Sequence, residues 1–398
     1  MKYIVVILDG ASGWPLEELE ECTTLEAAAT PLLDLLATQG KVGLAETVPE
    51  GLEPSSSAAC TSILGFDPQA NYVGRGAIEA AAMGIELADD EIALRVNTLT
   101  IENGVMRSYA GGHITTEESR AIIERLADTL NDETFTLYPG LAYRHILVVK
   151  AHPELLDVTY TAPHDISDRS IEDHLPQGEG AELLAEFCER AHALLSDDPI
   201  NTQRVAEGKL PITDLWPFWP GTAPQSLPSF EQTYGKRAAL TSGVDLLFGL
   251  ANLFGLEVLD IEGVTDGSDN DHLAQVTGAL RALDDHDVVV IHVEAPDEMA
   301  HAGDISGKLD AIEAIDNQIL PRVLSYARNR GDVRLLVMPD HPTPIAVKTH
   351  VREAVPFILW GSGVTPDDTT EYSERAAQTG GWILSPGHQV MGELLSDR

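Results

Sequence analysis

Six acidic or histidine residues fall where strands are predicted to end. Asp9 follows YIVVIL, Asp297 and His301 follow DVVVIHVE, Asp340 and His341 close VRLLVMPDH, and His350 comes shortly after. Asp297 and His301 are four apart, so one helical turn puts both on one face. Ligands of open α/β sheets gather at the carboxyl ends of the strands. Three carboxylates and three imidazoles on one such edge could hold two divalent cations. Mixed oxygen and nitrogen donors suit Mn, Zn or Fe, and suit Mg less well. Two neighbouring cations can clamp the attacking and leaving oxygens of a phosphoryl transfer. Taken singly, a strand-end Asp is often a helix cap, and D-x-x-x-H is usually a solvated helix face.

A nucleophile is the missing part. GLEPSSSAACTSILGFDP, residues 51–68, sets three serines between Pro54 and a run of small apolar residues. A serine there caps a helix. A helix N-terminus also favours negative charge, so a serine there can attack and then carry a phosphoryl group. Beside a cation its hydroxyl would be acidified. The local sequence leaves both readings open.

The elements that must position these groups are short apolar runs separated by helical stretches. YIVVIL (3–8), RAALTS (237–242), LEVLDI (256–261), DVVVIHVE (287–294), VRLLVMPD (333–340) and VPFILWG (355–361) read as buried strands of a parallel sheet. Residues 271–286 and 308–330 read as helices between them, which makes an α/β core. Strands between about 90 and 170 are shorter and half-polar, and Thr115 with Glu118 forms a T-x-x-E capping box before an amphipathic helix over 115–130. An inserted α+β domain is expected over 89–170, with the core over 1–88 and 171–398. Residues 196–235, rich in Pro, Trp and Ser, read as a long packed connection.

Composition narrows the partners. With 398 residues, 43% of them hydrophobic, the chain can bury a large core. Its net charge of −39 repels nucleic acid and anionic membrane surfaces. A small anionic substrate needs a local cationic or metal-lined pocket. Cys22, Cys60 and Cys188 are too scattered for a disulfide framework or a thiolate zinc site, which fits a reducing cytoplasm. MKYIVVILDG is too short for a signal peptide and reads as a strand, and 238–260 reads as strand, helix, strand rather than a membrane span.

The stretches LDG, TTLEAAATPLLDLLATQGKVGL, SSSAACTSILGFDP, YVGRGAIEAAAMGIEL, LRVNTLT, AGGHITTEES, AYRHILVV, APHDIS, VEAPDEMAHAGD, DHPTP and THVREAVPF run through nearly the whole chain. On them it resembles the cofactor-independent phosphoglycerate mutases of the archaeal type, within the alkaline phosphatase superfamily. GHITTEE, WPFWPG and DHPTP look like a bacterial branch, some of whose members have been proposed to be homoserine kinases. The resemblance implies an alkaline phosphatase-like core, with a mostly parallel sheet between helices and a smaller inserted domain. It selects Ser56, six residues before Ser62 of SILGFDP, as the nucleophile. One metal would lie on Asp9, Ser56, Asp340 and His341, the other on Asp297, His301 and His350. Mn is the first expectation, with Mg, Zn or Co as alternatives and no need for 2,3-bisphosphoglycerate. A phosphorylated hydroxy acid would be bound by Arg75 of the GRG loop, by Arg95, His113 and Arg144 of the insertion, and by Lys236 near the nucleophile. His113 would also shuttle protons. An oligomer is possible.

The chain departs from the family pattern at Ser57, usually acidic, at Cys60, often Asn, and at Gly13, often Asp. The expected reaction interconverts 3- and 2-phosphoglycerate through a phosphoserine. The nearest rival keeps the same metals with another acceptor, as a homoserine kinase-like phosphotransferase or a phosphomonoesterase. A non-catalytic metal-stabilised binding protein is opposed by the seven retained ligand positions.

Overall fold

The computed structural model describes residues 1–224 and 227–396 and forms two compact units, Met1–Tyr72 with Leu227–Arg398, and Val73–Ser226. Numbered along the chain, the strands β1 (Lys2–Leu8) and β2 (Lys41–Ala45) belong to the first unit. The second unit holds β3 (Glu91–Glu102), β4 (Val105–Ser108), β5 (Phe135–Tyr138), β6 (Arg144–Lys150) and β7 (Asp214–Thr222). The first resumes with β8 (Ala238–Thr241), β9 (Glu257–Val258), β10 (Val288–Val293), β11 (Val333–Met338), β12 (Val355–Gly361) and β13 (Ile383–Leu384).

In the first unit these strands make one sheet in the order β13-β2-β12-β11-β1-β10-β8-β9. The run from β11 through β1, β10 and β8 to β9 is parallel. β1, β10 and β11 are covered on both faces, and this is why they read as unbroken apolar runs instead of alternating ones. VPFILWG is the exception to the parallel expectation, since β12 is antiparallel to both β11 and β2. A parallel return needs a long crossover, usually a helix. The stretch from Pro339 to Ala354 contains no helix, so β12 starts at the end of the sheet where β11 stops.

The predicted helix over 308–330 is continuous but not uniform. It runs α from Ile305 to Ala314, π from Ile315 to Ile319, and α from Leu320 to Arg330. Pro321 has no N–H and its ring crowds the preceding turn, so the ladder widens there. The widened turn has a use. Asp316, fully buried, accepts N–H bonds from Leu33 at 2.8 Å and Leu32 at 3.1 Å. These open the helix Pro31–Gln39, whose own N-cap Thr30 makes no side-chain bond.

The second unit is an antiparallel sheet in the order β4-β3-β6-β5, with β7 paired to β3. Residues 196–235 are therefore more than a connection, since they supply the helix Pro199–Ala206 and then β7. The prolines and tryptophans of β7 mask the strand in the sequence, and its buried residues run together instead of alternating. Ile122, Ile123, Leu126 and Leu130 of the helix Thr116–Leu130 pack with Leu184, Phe187 and Ala191 of the helix Ala181–Ser196 on one sheet face. Half of the expected capping box forms: Thr115 accepts the Glu118 N–H at 3.2 Å. The Glu118 carboxylate is drawn instead to the buried Arg204 guanidinium and to Lys209. Among the described residues no helix is long and apolar enough to cross a membrane.

Replacing Asp316 with Ala removes the acceptor for two helix-opening N–H groups and should destabilise the first unit by about 1–2 kcal/mol. Thermal unfolding followed by circular dichroism should show a lower midpoint with unchanged secondary structure; an unchanged midpoint would refute the capping role.

Candidate active site

Because β11, β1 and β10 are adjacent and parallel, the residues that follow them share one edge. Ile7 lies beside Met338, and Leu8 beside Val293. Asp9 leaves β1, Asp340 and His341 leave β11, and Asp297 and His301 occupy the helix Ala295–Ala302 that follows β10. Asp9, Asp340 and His341 are fully buried and form one group with metal-ligand spacing. His341 Nε2 lies 3.2 Å from Asp340 Oδ2 and 3.6 Å from Asp9 Oδ1. Asp297, His301 and His350 form a second group. There Asp297 Oδ2 lies 2.9 Å from His301 Nε2 and 3.5 Å from His350 Nε2. The rings of His341 and His350 are 4.0 Å apart, so the two groups are neighbours.

Gly10 makes this closeness possible. Its φ is +59°, and a Cβ there would lie 2.2 Å from Asp297 Oδ1. Its N–H donates to Asp340 Oδ1 at 3.2 Å. A side chain at this position would push the two groups apart.

The three serines divide the two roles left open by the sequence. Ser55 is the N-cap of the helix Ser56–Ile63, accepting the Ala58 N–H, and its hydroxyl meets that of Ser57 at 2.9 Å. Ser56 is the first helical residue, and its Oγ lies 3.1 Å from His341 Nε2. It is therefore the hydroxyl that faces the metal-type groups. Cys60, one turn along the same helix, points its sulfur at Asp340 Oδ2, 3.7 Å away.

The electrostatics show what this edge lacks. Burial, and then the Asp340 and Asp297 carboxylates, push Asp9 well above the usual carboxylate range. Burial and Asp9 do the same to Glu294. Asp9 Oδ1 and Glu294 Oε2 are buried without a hydrogen-bond partner. Burial also opposes charge on Asp297, yet its bonds from His301 and His350 hold it well below the usual range. The same bond raises His301 to about 9. Orphaned, mutually repelling carboxylate oxygens beside imidazoles fit divalent cations, which would satisfy all of them at once.

Several groups here were missed from sequence. His292 and Glu294 form a third such group with Asp9. His292 was concealed inside an otherwise apolar strand, and being the one polar residue of that run was its only signal. Thr343 Oγ1 bonds Asp297 Oδ1 and lies 3.2 Å from His341 Nδ1, bridging the two groups. Lys308 is fully buried and donates to the carbonyls of Ser12 at 3.2 Å and Thr343 at 2.9 Å, with burial pushing its ammonium down to about 8.

In the second unit three of the expected cations come together. Glu79 accepts from Arg75 Nε at 2.9 Å and from Arg95 Nη1 at 2.8 Å, and Arg144 lies within electrostatic range of Arg95. Arg75 opens the helix Arg75–Ala82 instead of sitting in a loop. The glycine after it serves packing, since a Cβ on Gly76 would lie 2.2 Å from the Ala93 carbonyl. Arg75 stacks on Trp219 at 4.0 Å. Trp219 is the extra residue of a β-bulge, unpaired between Phe218 and Pro220 with φ +48°, and the bulge turns its ring out of the ladder. Glu79, Trp219 and His164, whose ring lies 5.6 Å from Trp219, were not foreseen. His113 is exposed in the turn before the helix Thr116–Leu130, with φ +55°.

Lys236 is not brought to the site. Its ammonium lies 5.1 Å over the Tyr3 ring. Tyr3 is at the start of β1, about 20 Å of strand from Asp9. As the residue two places before β8, Lys236 belongs to the opposite edge of the parallel sheet.

A family model described as 2,3-bisphosphoglycerate-independent phosphoglycerate mutase matches residues 37–201. A protein of that name from Methanothrix thermoacetophila is 41% identical over 397 residues, covering 100% of both chains. One named as a probable 2,3-bisphosphoglycerate-independent phosphoglycerate mutase, from Geobacter sulfurreducens, is 41% identical over 404 residues and also covers 100% of both. A solved protein from Pyrococcus horikoshii superposes with a TM-score of 0.84 at 29% identity, covering 100% of this chain and 98% of its own. The cofactor-independent phosphoglycerate mutase of Thermoplasma acidophilum superposes at 0.67 with 25% identity over 99% of each chain. On full-length identity of this order, the chain belongs to the 2,3-bisphosphoglycerate-independent phosphoglycerate mutase family.

Proposed function

We propose that the protein interconverts 3-phosphoglycerate and 2-phosphoglycerate through a phosphoserine on Ser56, without 2,3-bisphosphoglycerate. The observation that carries this reading is the single hydroxyl of Ser56, at a helix N-terminus, 3.1 Å from His341 and facing two adjoining carboxylate–imidazole groups. Ser56 gives up its hydroxyl proton and Oγ attacks phosphorus in line while the bond from phosphorus to the C3 oxygen breaks, and that oxygen takes a proton. The C2 hydroxyl then gives up its proton and attacks the same phosphorus. The bond to Oγ breaks, and Ser56 recovers its hydroxyl. Two divalent cations, Mn first, held by Asp9, Ser56, Asp340 and His341 and by Asp297, His301 and His350, would supply Lewis-acid charge to the transferring oxygens. The helix N-terminus favours the same negative charge. We assign Arg75, Arg95 and Arg144 to the substrate's carboxylate and phosphate, since guanidinium forks match both planar anions. His113 is the proposed proton carrier for the two hydroxyls.

Purified protein with Mn²⁺ and 3-phosphoglycerate, free of 2,3-bisphosphoglycerate and coupled to enolase, should turn over in a chelator-sensitive way. Ser56→Ala should lose at least about 10³-fold in kcat while keeping its fold. Phosphate release or homoserine phosphorylation in place of turnover would reassign the acceptor, and an active Ser56→Ala enzyme would remove the phosphoserine.

Cation binding to the Asp297 group should depend on pH through His301. In the metal-free protein its protonated form persists up to about 9, above the ordinary 6.5, because Asp297 stabilises it. The stability this pair contributes is full below 6.5 and is lost as pH rises through about 9. A cation must displace that proton. Apparent Mn²⁺ affinity should therefore rise from pH 7 towards 9, by up to about tenfold per unit, with proton release seen by calorimetry in buffers of different ionisation enthalpy. A flat profile would contradict the ion pair.

A further inference from the structure

His292 is fully buried next to the carboxyl end of β10, and its polar contacts are ordered in one direction. The Val244 N–H donates to Ser242 Oγ at 3.0 Å. Ser242 Oγ lies 3.0 Å from His292 Nδ1, and His292 Nε2 lies 2.8 Å from Asp9 Oδ2. Asp9 binds a cation as the carboxylate, which only accepts, so in that form the proton in the last contact sits on Nε2. Nδ1 then accepts from the Ser242 hydroxyl, whose own lone pair takes the Val244 N–H. The strand backbone is held as well: Gln275 Nε2 donates to the His292 carbonyl at 2.9 Å, and Asn270 Nδ2 donates to Gln275 Oε1 at 2.9 Å.

The consequence falls on Asp9. Its Oδ2 is taken by His292. Its Oδ1 is buried, has no hydrogen-bond partner, and is the oxygen 3.6 Å from His341 Nε2. We propose that Ser242 and His292 are positioning residues that commit Asp9 to present Oδ1 alone to the cation shared with Asp340 and His341. This rests on the metal reading of the site given above. Without the relay the carboxylate is free to rotate or to offer both oxygens, and the imidazole loses the partner that sets its tautomer. Outer partners of this kind are worth about 10–100-fold in metal affinity.

The test is calorimetric titration of Mn²⁺ into metal-free protein, reading stoichiometry and Kd for the wild type, Ser242→Ala, His292→Leu and His292→Gln. Circular dichroism checks each fold. Ser242→Ala removes one oxygen atom and keeps the test valid if the leucine variant does not fold. The expected result is two ions per wild-type chain, with one site weakened about 10–100-fold in Ser242→Ala and His292→Leu. Glutamine retains a donor towards Asp9 and should restore most of that affinity, which a space-filling role for His292 would not predict. Wild-type affinity in both Ser242→Ala and His292→Leu would overturn the relay while leaving the metal site intact. Three ions in the wild type, falling to two in His292→Leu, would overturn it by making His292 a ligand. No binding by the wild type would overturn the metal reading and the relay with it.

Discussion

Four carboxylates, Asp9, Asp297, Asp340 and Glu294, meet at the ends of three neighbouring strands with almost no access to water. Like charges so placed cannot all stay ionised without positive charge among them. The surrounding structure answers that constraint in pieces. His301 and His350 hold Asp297 charged, the buried Lys308 ammonium lies nearby, and Asp9 and Glu294 are left pushed towards their neutral forms. An edge built this way is incomplete as protein alone, and divalent cations are what would complete it.

Local structure delivers these groups with little freedom. Parallel pairing of β11, β1 and β10 brings three chain ends to one edge. Gly10 lets the backbone pass between the two groups, and Thr343 ties them through its hydroxyl. The absence of a crossover helix after β11 has a consequence for chemistry too. The chain stays at the functional edge from Asp340 to His350 before β12 turns back, and so contributes ligand candidates to both groups.

On the proposed function, a chain of net charge −39 needs a local cationic site for its anionic substrate. The second unit sets Arg75 and Arg95 on one carboxylate, Glu79, with Arg144 within electrostatic range of Arg95. A β-bulge sets Trp219 against Arg75, fixing a flexible side chain on a rigid surface. Global charge governs what approaches the molecule from afar, whereas this cluster acts within a few ångström.

Much of this was legible in the sequence because it is written locally. Apolar runs gave the strands of the α/β core, strand-end positions gave Asp9, Asp297, Asp340 and their histidines, and i, i+4 spacing gave Asp297 with His301. Local pattern located the triple serine without dividing it; the resemblance singled out Ser56, and the approach of His341, 285 residues away, is the contact that sets it apart from its neighbours. The same limit hid His292, whose meaning comes from Ser242 and Asp9 just beyond the ends of other strands, and β7, whose pairing with β3 overrides its proline-rich composition. It also hid the reversal of β12 and the placement of Lys236 at the opposite edge. Periodicity and capping depend on neighbours within a few residues. Strand order, direction and the choice among chemically equal side chains depend on contacts between distant segments, and only the tertiary structure decides those.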